Sequence, residues 1–329
     1  MGRNDSRAPE GVPAGSPHFR LWLAIGGISL SLGLAFSSRA SDASPGMFPV
    51  ETIELPALQP GVPMVRAHTQ GLEWVADSIF VTARRDDPAP RRSLLLRTRK
   101  GGNAWEVWDL TPPDRPTLDH PGGFQSDGRR LWIPLAESRR RGRSLIRAYA
   151  LAELRPGQAP VPDVEFAVED HVGALAVLPE RSQLVGAAWD TDTVYVWALD
   201  GKLQRTLTGP DLRRRGLGAG WMLDETPGLA VQDWKFVDGA LVAGGLVPIP
   251  GSPSRAALDR VRWLDSALEP LPSLPTLPAN SDGVQMTGEG MAVSEGFLYF
   301  LPGDLGATNR MYKMPWVPFR NGACDCNGP

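Results

Sequence analysis

From residue 68 onward, short apolar runs alternate with turns rich in Gly, Pro, Asp and Arg, and the pattern returns about every 50 residues. The first unit places strand-like runs at 71–75, 79–82, 93–97 and 105–108, separated by turn residues. A second unit repeats them at 123–125, 131–134, 144–149 and 164–167, and a third at 174–177, 184–189, 194–197 and 204–207. The run Val194-Tyr195-Val196-Trp197 is largely apolar instead of alternating, as a strand covered on both faces requires. A fourth unit has runs at 230–236, 240–244 and 260–264 with a short edge near Leu271, and a fifth has 290–293, 297–300 and 310–314.

Repeated units of four short strands predict an all-β chain, a β-propeller. The fifth unit lacks a fourth strand, while residues 50–55 form an orphan strand ahead of the first unit. Pairing the orphan with the last blade closes the ring and removes both free edges. Five blades over residues 48–319 are therefore preferred. A sixth would have to come from 210–229, which is too short for four strands. The stretches 210–226, 246–255 and 270–280 are long Pro/Gly-rich connections of the kind that carry binding loops or tolerated insertions.

Ahead of the repeats the pattern changes. Arg3, Arg7 and Arg20 precede sixteen mostly apolar residues, 21–36, and small-x-small sequences follow at 38–40 and 41–43. Residues 1–40 read as a signal peptide and 41–47 as a linker, which predicts a secreted or periplasmic protein; an uncleaved anchor is the rival reading. No later stretch is apolar enough to span a membrane. Residues 320–329 read as a tail whose Cys324 and Cys326 fit a local disulfide, half of a metal site or an idle terminus.

Charge excludes one class of partner. The chain carries a net charge of −3, and its arginines cluster in turns at Arg84-Arg85, Arg91-Arg92, 139–141 and 213–215 without interleaved aromatics. That pattern suits solvated loops better than nucleic acid.

The candidate chemistry comes from phase. His68, His120 and His171 open their units at intervals of 52 and 51 residues. Equivalent positions in a propeller lie on a ring around one axis. Three neutral imidazoles on such a ring suit a divalent transition metal, Zn or Fe, with a coordination position left open. The matching positions of the fourth and fifth units hold Gln232-Asp233 and Glu289. Asp233 or Glu289 would serve as base to a metal-bound water, and Gln70, Gln125 and Gln232 would orient a small polar ligand in the central channel. The same imidazoles also fit a metal-free polar pocket, or a structural role capping the inner strands. Nucleophile-elbow, P-loop, zincin and dinucleotide fingerprints are absent from the sequence.

Two resemblances bear on these residues. His68-Thr69-Gln70-Gly71-Leu72-Glu73 resembles the opening blade of propeller-type glutaminyl cyclotransferases, with His68 where an aromatic residue is usual. Over more of the chain, residues 120–128, 132–137, 170–174 and the Gln232-Asp233 pair resemble an uncharacterised family of exported, propeller-like proteins. The second resemblance implies a fold and no assigned activity. The functional expectation is thus a metal-dependent hydrolase or lyase acting on a small polar substrate; the rival is a non-catalytic propeller that holds a protein or glycan.

Overall fold

The computed structural model describes residues 50–58, 64–218, 228–249, 257–272, 277 and 282–316. The expected signal peptide, linker and cysteine-bearing tail lie outside the described residues. Strand β1 (Glu51–Leu55) belongs to the last blade. Blade one is β2 (His68–Val75), β3 (Ser78–Arg85), β4 (Arg92–Arg99) and β5 (Glu106–Asp109). Blade two has an interrupted inner strand, β6 (His120–Pro121) and β7 (Gln125–Ser126), followed by β8 (Arg130–Ala136), β9 (Ser144–Ala150) and β10 (Val164–Val168). Blade three is β11 (Val172–Leu178), β12 (Gln183–Ala188), β13 (Thr193–Ala198) and β14 (Leu203–Thr208), and the short helix α1 (Gly209–Arg214) follows it. Blade four is β15 (Ala230–Val237), β16 (Ala240–Pro248) and β17 (Ala257–Asp265), and blade five is β18 (Gly290–Ser294), β19 (Phe297–Leu301) and β20 (Asn309–Pro315). The protein is a five-bladed β-propeller.

The ring closes as the orphan strand requires. β1 pairs antiparallel with β20, from Glu51 opposite Lys313 to Leu55 opposite Asn309. Two details differ from the sequence expectation. The edge expected near Leu271 is reduced to a bridge between Leu264 and Pro270, with backbone bonds from the Leu271 amide to the Trp263 carbonyl (2.9 Å) and from the Asp265 amide to the Glu269 carbonyl (2.8 Å). Blade two's inner strand breaks at Gly122-Gly123 because this segment bonds across to blade three: the Gly123 amide donates to Gly173 O (2.9 Å) and Leu175 to Gly123 O (2.9 Å).

Apolar residues alternate toward the blade faces, so neighbouring blades bury them against each other. One hydrophobic cluster fills each of the five junctions. Leu72, Val81 and Leu96 meet Tyr299 and Met311 between blades one and five, and Trp132 and Ile146 meet Val177 and Trp197 between two and three. The other three junctions are filled in the same way.

The axis itself is polar, and it is tied by three side chains. Asp233 is fully buried (0%) and Lys235 nearly so (2%), with Nζ donating to Asp233 Oδ1 at 2.5 Å and to the Phe124 carbonyl at 2.6 Å. Asp233 Oδ1 also accepts from the Trp234 amide (2.9 Å), and Oδ2 accepts from the amides of Leu72 (3.1 Å) and Met291 (3.0 Å). One carboxylate–ammonium pair thereby bonds to blades one, two, four and five. Gln125 brings in blade three: its Oε1 accepts from Val177 (3.0 Å) and Phe236 (2.9 Å), and its Nε2 donates to Phe236 O (2.7 Å). Approach this close needs a bare backbone at Gly123, where a Cβ would stand 2.5 Å from Asp233 Oδ1.

Cutting one partner from a buried ion pair strands the other charge. Asp233→Ala is expected to lose about 3–5 kcal/mol of stability in urea unfolding. The double variant Asp233→Ala/Lys235→Met should lose less than the single one. Equal losses would show that the stranded ammonium is not the source of the cost.

Candidate functional site

The innermost strands begin on one face of the ring, and the histidines stand at those beginnings. His68 opens β2, His120 opens β6, and His171 immediately precedes β11. Just inside this mouth, the inner strands of blades one, three and four each shift register, between Thr69 and Gly71, Val172 and Ala174, and Val231 and Asp233. Each shift leaves one extra residue, Gln70, Gly173 or Gln232. Such bulges re-aim side chains where a ladder ends.

His68 lies between two carboxyl groups. Its Nδ1 is 2.7 Å from Asp304 Oδ1, and its Nε2 is 3.9 Å from Glu289 Oε1. A carboxylate accepts only, so Asp304 takes the Nδ1 proton and leaves the Nε2 lone pair facing Glu289 in the neutral ring. Asp304 is held in turn by Arg66 (2.5 Å), and the Thr69 hydroxyl donates to the neighbouring Gly303 carbonyl (2.8 Å). Burial and the Asp304 charge push the Glu289 carboxyl well above the usual carboxylate range, against the pull of Arg84. His68, Asp304 and Arg84 share the wall of a cavity of about 320 Å3 with Val65, Arg66, Asp86 and Asp87.

His120 and His171 form the second half of the mouth, with ring centres 5.1 Å apart. The Arg84 guanidinium can only donate, and its Nη1 lies 2.9 Å from His120 Nδ1. The neutral His120 ring therefore carries its proton on Nε2. Its pKa is held well below the ordinary histidine value by burial first, then by the charges of His171 and Arg84. Arg84 is itself braced by Asp86, at 2.8 and 3.1 Å. His171 has the opposite tautomer: Nδ1–H donates to the Glu137 carbonyl (2.7 Å), which leaves Nε2 as the acceptor. Burial lowers its pKa, outweighing the carbonyls of Glu137 and Arg139 that favour the proton. Trp189 packs edge-on to His171 at 4.6 Å and lies 6.4 Å from His120.

The structure does not show the expected three-histidine zinc or iron centre. Among the described residues, no group of three or more His, Cys, Asp or Glu is placed to hold a metal ion. Arg84 bears on His120 as a ligand: Nδ1 accepts from the guanidinium and Nε2 carries the proton of the neutral ring, whereas a metal ligand offers a lone pair. His68 is paired with Asp304 and stands beside Glu289.

The remaining expected residues divide between mouth and axis. Asp233 lies in the axis with its oxygens taken by four donors, so no lone pair is free for a base. Burial pushes it up to about 6, opposed by Lys235. Gln125 is likewise spent on inter-blade bonds. Gln70 and Gln232 stay at the mouth, half-buried. Gln70 donates to Thr69 O (2.8 Å), and the Gln232 amide has no hydrogen-bond partner among the described residues. Glu289 is at the mouth, and the upward shift of its carboxyl favours the protonated form over the carboxylate that the expected base role uses.

Sequence reasoning missed Asp304, Arg84, Trp189 and the buried Glu73. Asp304 sits in the loop before β20, outside the repeat phase, and Arg84 reads as one more loop arginine. Glu73 accepts from the Trp74 (2.9 Å) and Ser126 (3.1 Å) amides, and burial pushes it to about 7 against the pull of Lys235.

Removing the Arg84 charge should raise the His120 pKa and free its Nδ1. Long-range 1H–15N spectra of Arg84→Met through a pH titration are expected to show the His120 midpoint moving upward and the Nε2–H preference lost. A midpoint that stays put would mean that burial alone sets it.

Comparison with known proteins bears on fold more than on chemistry. Residues 111–219 match a protein family of unknown function, DUF6454, and that stretch carries His120, His171 and Trp189. This agrees with the similarity of the blades to an uncharacterised propeller family. No curated protein matches the chain in sequence. Among solved structures, the bifunctional GH43-CE protein of Bacteroides eggerthii is similar with 10% identity and a TM-score of 0.51, over 82% of this chain and 35% of that one. The catalytic domain of an α-L-arabinofuranosidase from Coprinopsis cinerea has 10% identity and a TM-score of 0.48, over 82% and 97%. The β-propeller domain of the Trilobed protease from Pyrococcus furiosus has 10% identity and a TM-score of 0.35, over 76% and 84%. At such identities the likeness is one of fold. The chain is a five-bladed propeller similar, over its second and third blades, to a family of unknown function.

Proposed function

We propose that the histidine-bearing mouth is an acid–base site for a small polar substrate, with His68 as general base and Glu289 as general acid. The observation that carries the reading is the array Asp304–His68–Glu289. A carboxylate on one ring nitrogen orients the other nitrogen toward a carboxyl group whose pKa is raised by burial and by the Asp304 charge, beside a cavity. An imidazole with an oriented lone pair facing a carboxyl group of raised pKa is an arrangement suited to acid–base work.

The division of labour follows from the bonds each group already makes. Asp304 fixes the ring and stabilises the imidazolium that forms when Nε2 takes a proton from a substrate or a water. Glu289 returns a proton to the departing oxygen. The Nε2–H of His120, backed by Arg84, points a donor at negative charge developing in the mouth. This fits hydrolysis or elimination on a substrate rich in hydroxyl or carboxylate groups, and it places no demand on a metal. The apolar run 21–36 behind three arginines supports an exported location for this chemistry, and no helix among the described residues is long and apolar enough to cross a membrane.

The test is turnover of chromogenic esters, lactones, hydroxy acids and uronates by the full chain beside His68→Asn and Glu289→Gln. One substrate class is expected to react, with kcat/KM falling about 100-fold or more in each variant at unchanged melting temperature. Unchanged kcat/KM in folded His68→Asn, or no turnover of any class by the unaltered protein, would sink the reading.

A further inference from the structure

The turn that follows β12 is strained in a way its own packing does not require. Asp190 (φ 56°) and Thr191 (φ 55°) are consecutive non-glycine residues in the left-handed region, and Thr191 is β-branched. Such residues cost free energy and persist only where the surroundings over-determine them. Here the surroundings do so from two sides. Arg140, reaching over from blade two, binds Asp190 (3.1 Å) and Asp192 (3.2 Å), while the Val231 amide of blade four donates to the buried Thr191 hydroxyl (2.8 Å). The product of this bracing is the position of Trp189. Its amide bonds to the His171 carbonyl (3.1 Å), and its ring lies half-exposed against the imidazoles of His171 and His120.

A large flat apolar face is therefore fixed on the buried His171 ring and next to half-buried polar edges at the mouth. These are the Nε2–H of His120, a donor, and the amide of Gln232, both donor and acceptor, which has no hydrogen-bond partner among the described residues. Planar aromatic hydrocarbons would use the face and waste the edges, whereas fully polar ligands would use the edges and waste the face. A sugar ring uses both. One side of it is a sheet of C–H bonds that packs on an aromatic ring, and its hydroxyls each donate and accept.

We propose that Trp189, with the edges of His120 and Gln232, forms a stacking subsite for a carbohydrate ring, so that the substrate class of the mouth is a sugar or sugar acid. The proposal rests on the mouth being a ligand site. It adds the identity of the ligand and a specificity-determining residue that takes no part in proton transfer. The braced turn holds the indole before the ligand arrives, which removes the ordering cost that a mobile aromatic would impose.

The experiment is saturation-transfer NMR and calorimetry on the full chain with D-glucose, D-xylose, D-glucuronate and D-galacturonate. Sorbitol and D-gluconate serve as open-chain counterparts with the same functional groups. At least one cyclic sugar is expected to bind saturably and its open-chain counterpart not. Trp189→Ala should weaken binding about tenfold or more, and Trp189→Phe, which keeps a face, should stay within about threefold of the original affinity. Circular dichroism checks folding, and the Phe variant reads the subsite should the Ala variant fail to fold. No binding by any cyclic sugar, equal binding of cyclic and open forms, or full affinity in folded Trp189→Ala each overturns the proposal. The acid–base reading fails differently: ester or hydroxy-acid turnover that depends on His68 and ignores Trp189 removes the platform alone. Trp189-dependent sugar binding with no His68-dependent turnover leaves the platform and removes the catalysis.

Discussion

Everything in this ring depends on a salt bridge that water does not reach. Burying Asp233 and Lys235 together on the axis is costly unless each lone pair and proton finds a partner, and the partners come from different blades. The pair is satisfied only when Leu72, Phe124 and Met291 all arrive, so it rewards the closed ring and penalises every open or misregistered version of it. Apolar packing between blades stabilises many arrangements to a similar degree. The axial pair distinguishes among them, a specificity role of the kind a few buried polar groups can fill.

The same constraint explains why the channel divides into two zones. Below the mouth, Asp233, Lys235, Glu73 and Gln125 spend their polar atoms on backbone from neighbouring blades. At the mouth, register shifts in the inner strands interrupt the ladder, and there the polar side chains keep unspent edges. Residues of similar type thus serve opposite ends. Gln125 is structural and Gln232 keeps its amide without a hydrogen-bond partner among the described residues, because one lies past the break in its strand and the other within it. The difference is one of depth along the axis, a coordinate that a linear sequence does not display.

This sets how much was legible in the chain itself. Blade number, strand placement and closure by residues 51–55 follow from period and apolar runs, because each blade buries its faces in the same way. The placement of His68, His120 and His171 at the starts of inner strands follows from phase. What phase cannot carry is pairing across blades. Asp304 reaches His68 from 236 positions away, and Arg84 reaches His120 across a blade junction. Those two contacts set the tautomers of the neutral rings. Three histidines in register read as a metal site when each keeps a lone pair toward a common centre, and phase does not display which ring nitrogen a partner from another blade has taken.

Closure by β1 has a consequence for how the chain reaches this state. Its partner β20 lies more than 250 residues downstream, so the last sheet joins the two ends of the fold. No local contact can stand in for that pairing. During synthesis, blades one to four can form as their strands emerge, but β1 must wait unpaired until Asn309–Pro315 has left the ribosome. For that interval the chain carries an exposed strand at one end and an unfinished sheet at the other. Ring closure is therefore a timing problem as well as an energetic one, and the charged side chains along β1 and β20 (Glu51, Glu54, Arg310 and Lys313) keep the waiting edges hydrated and poor templates for pairing with a stranger.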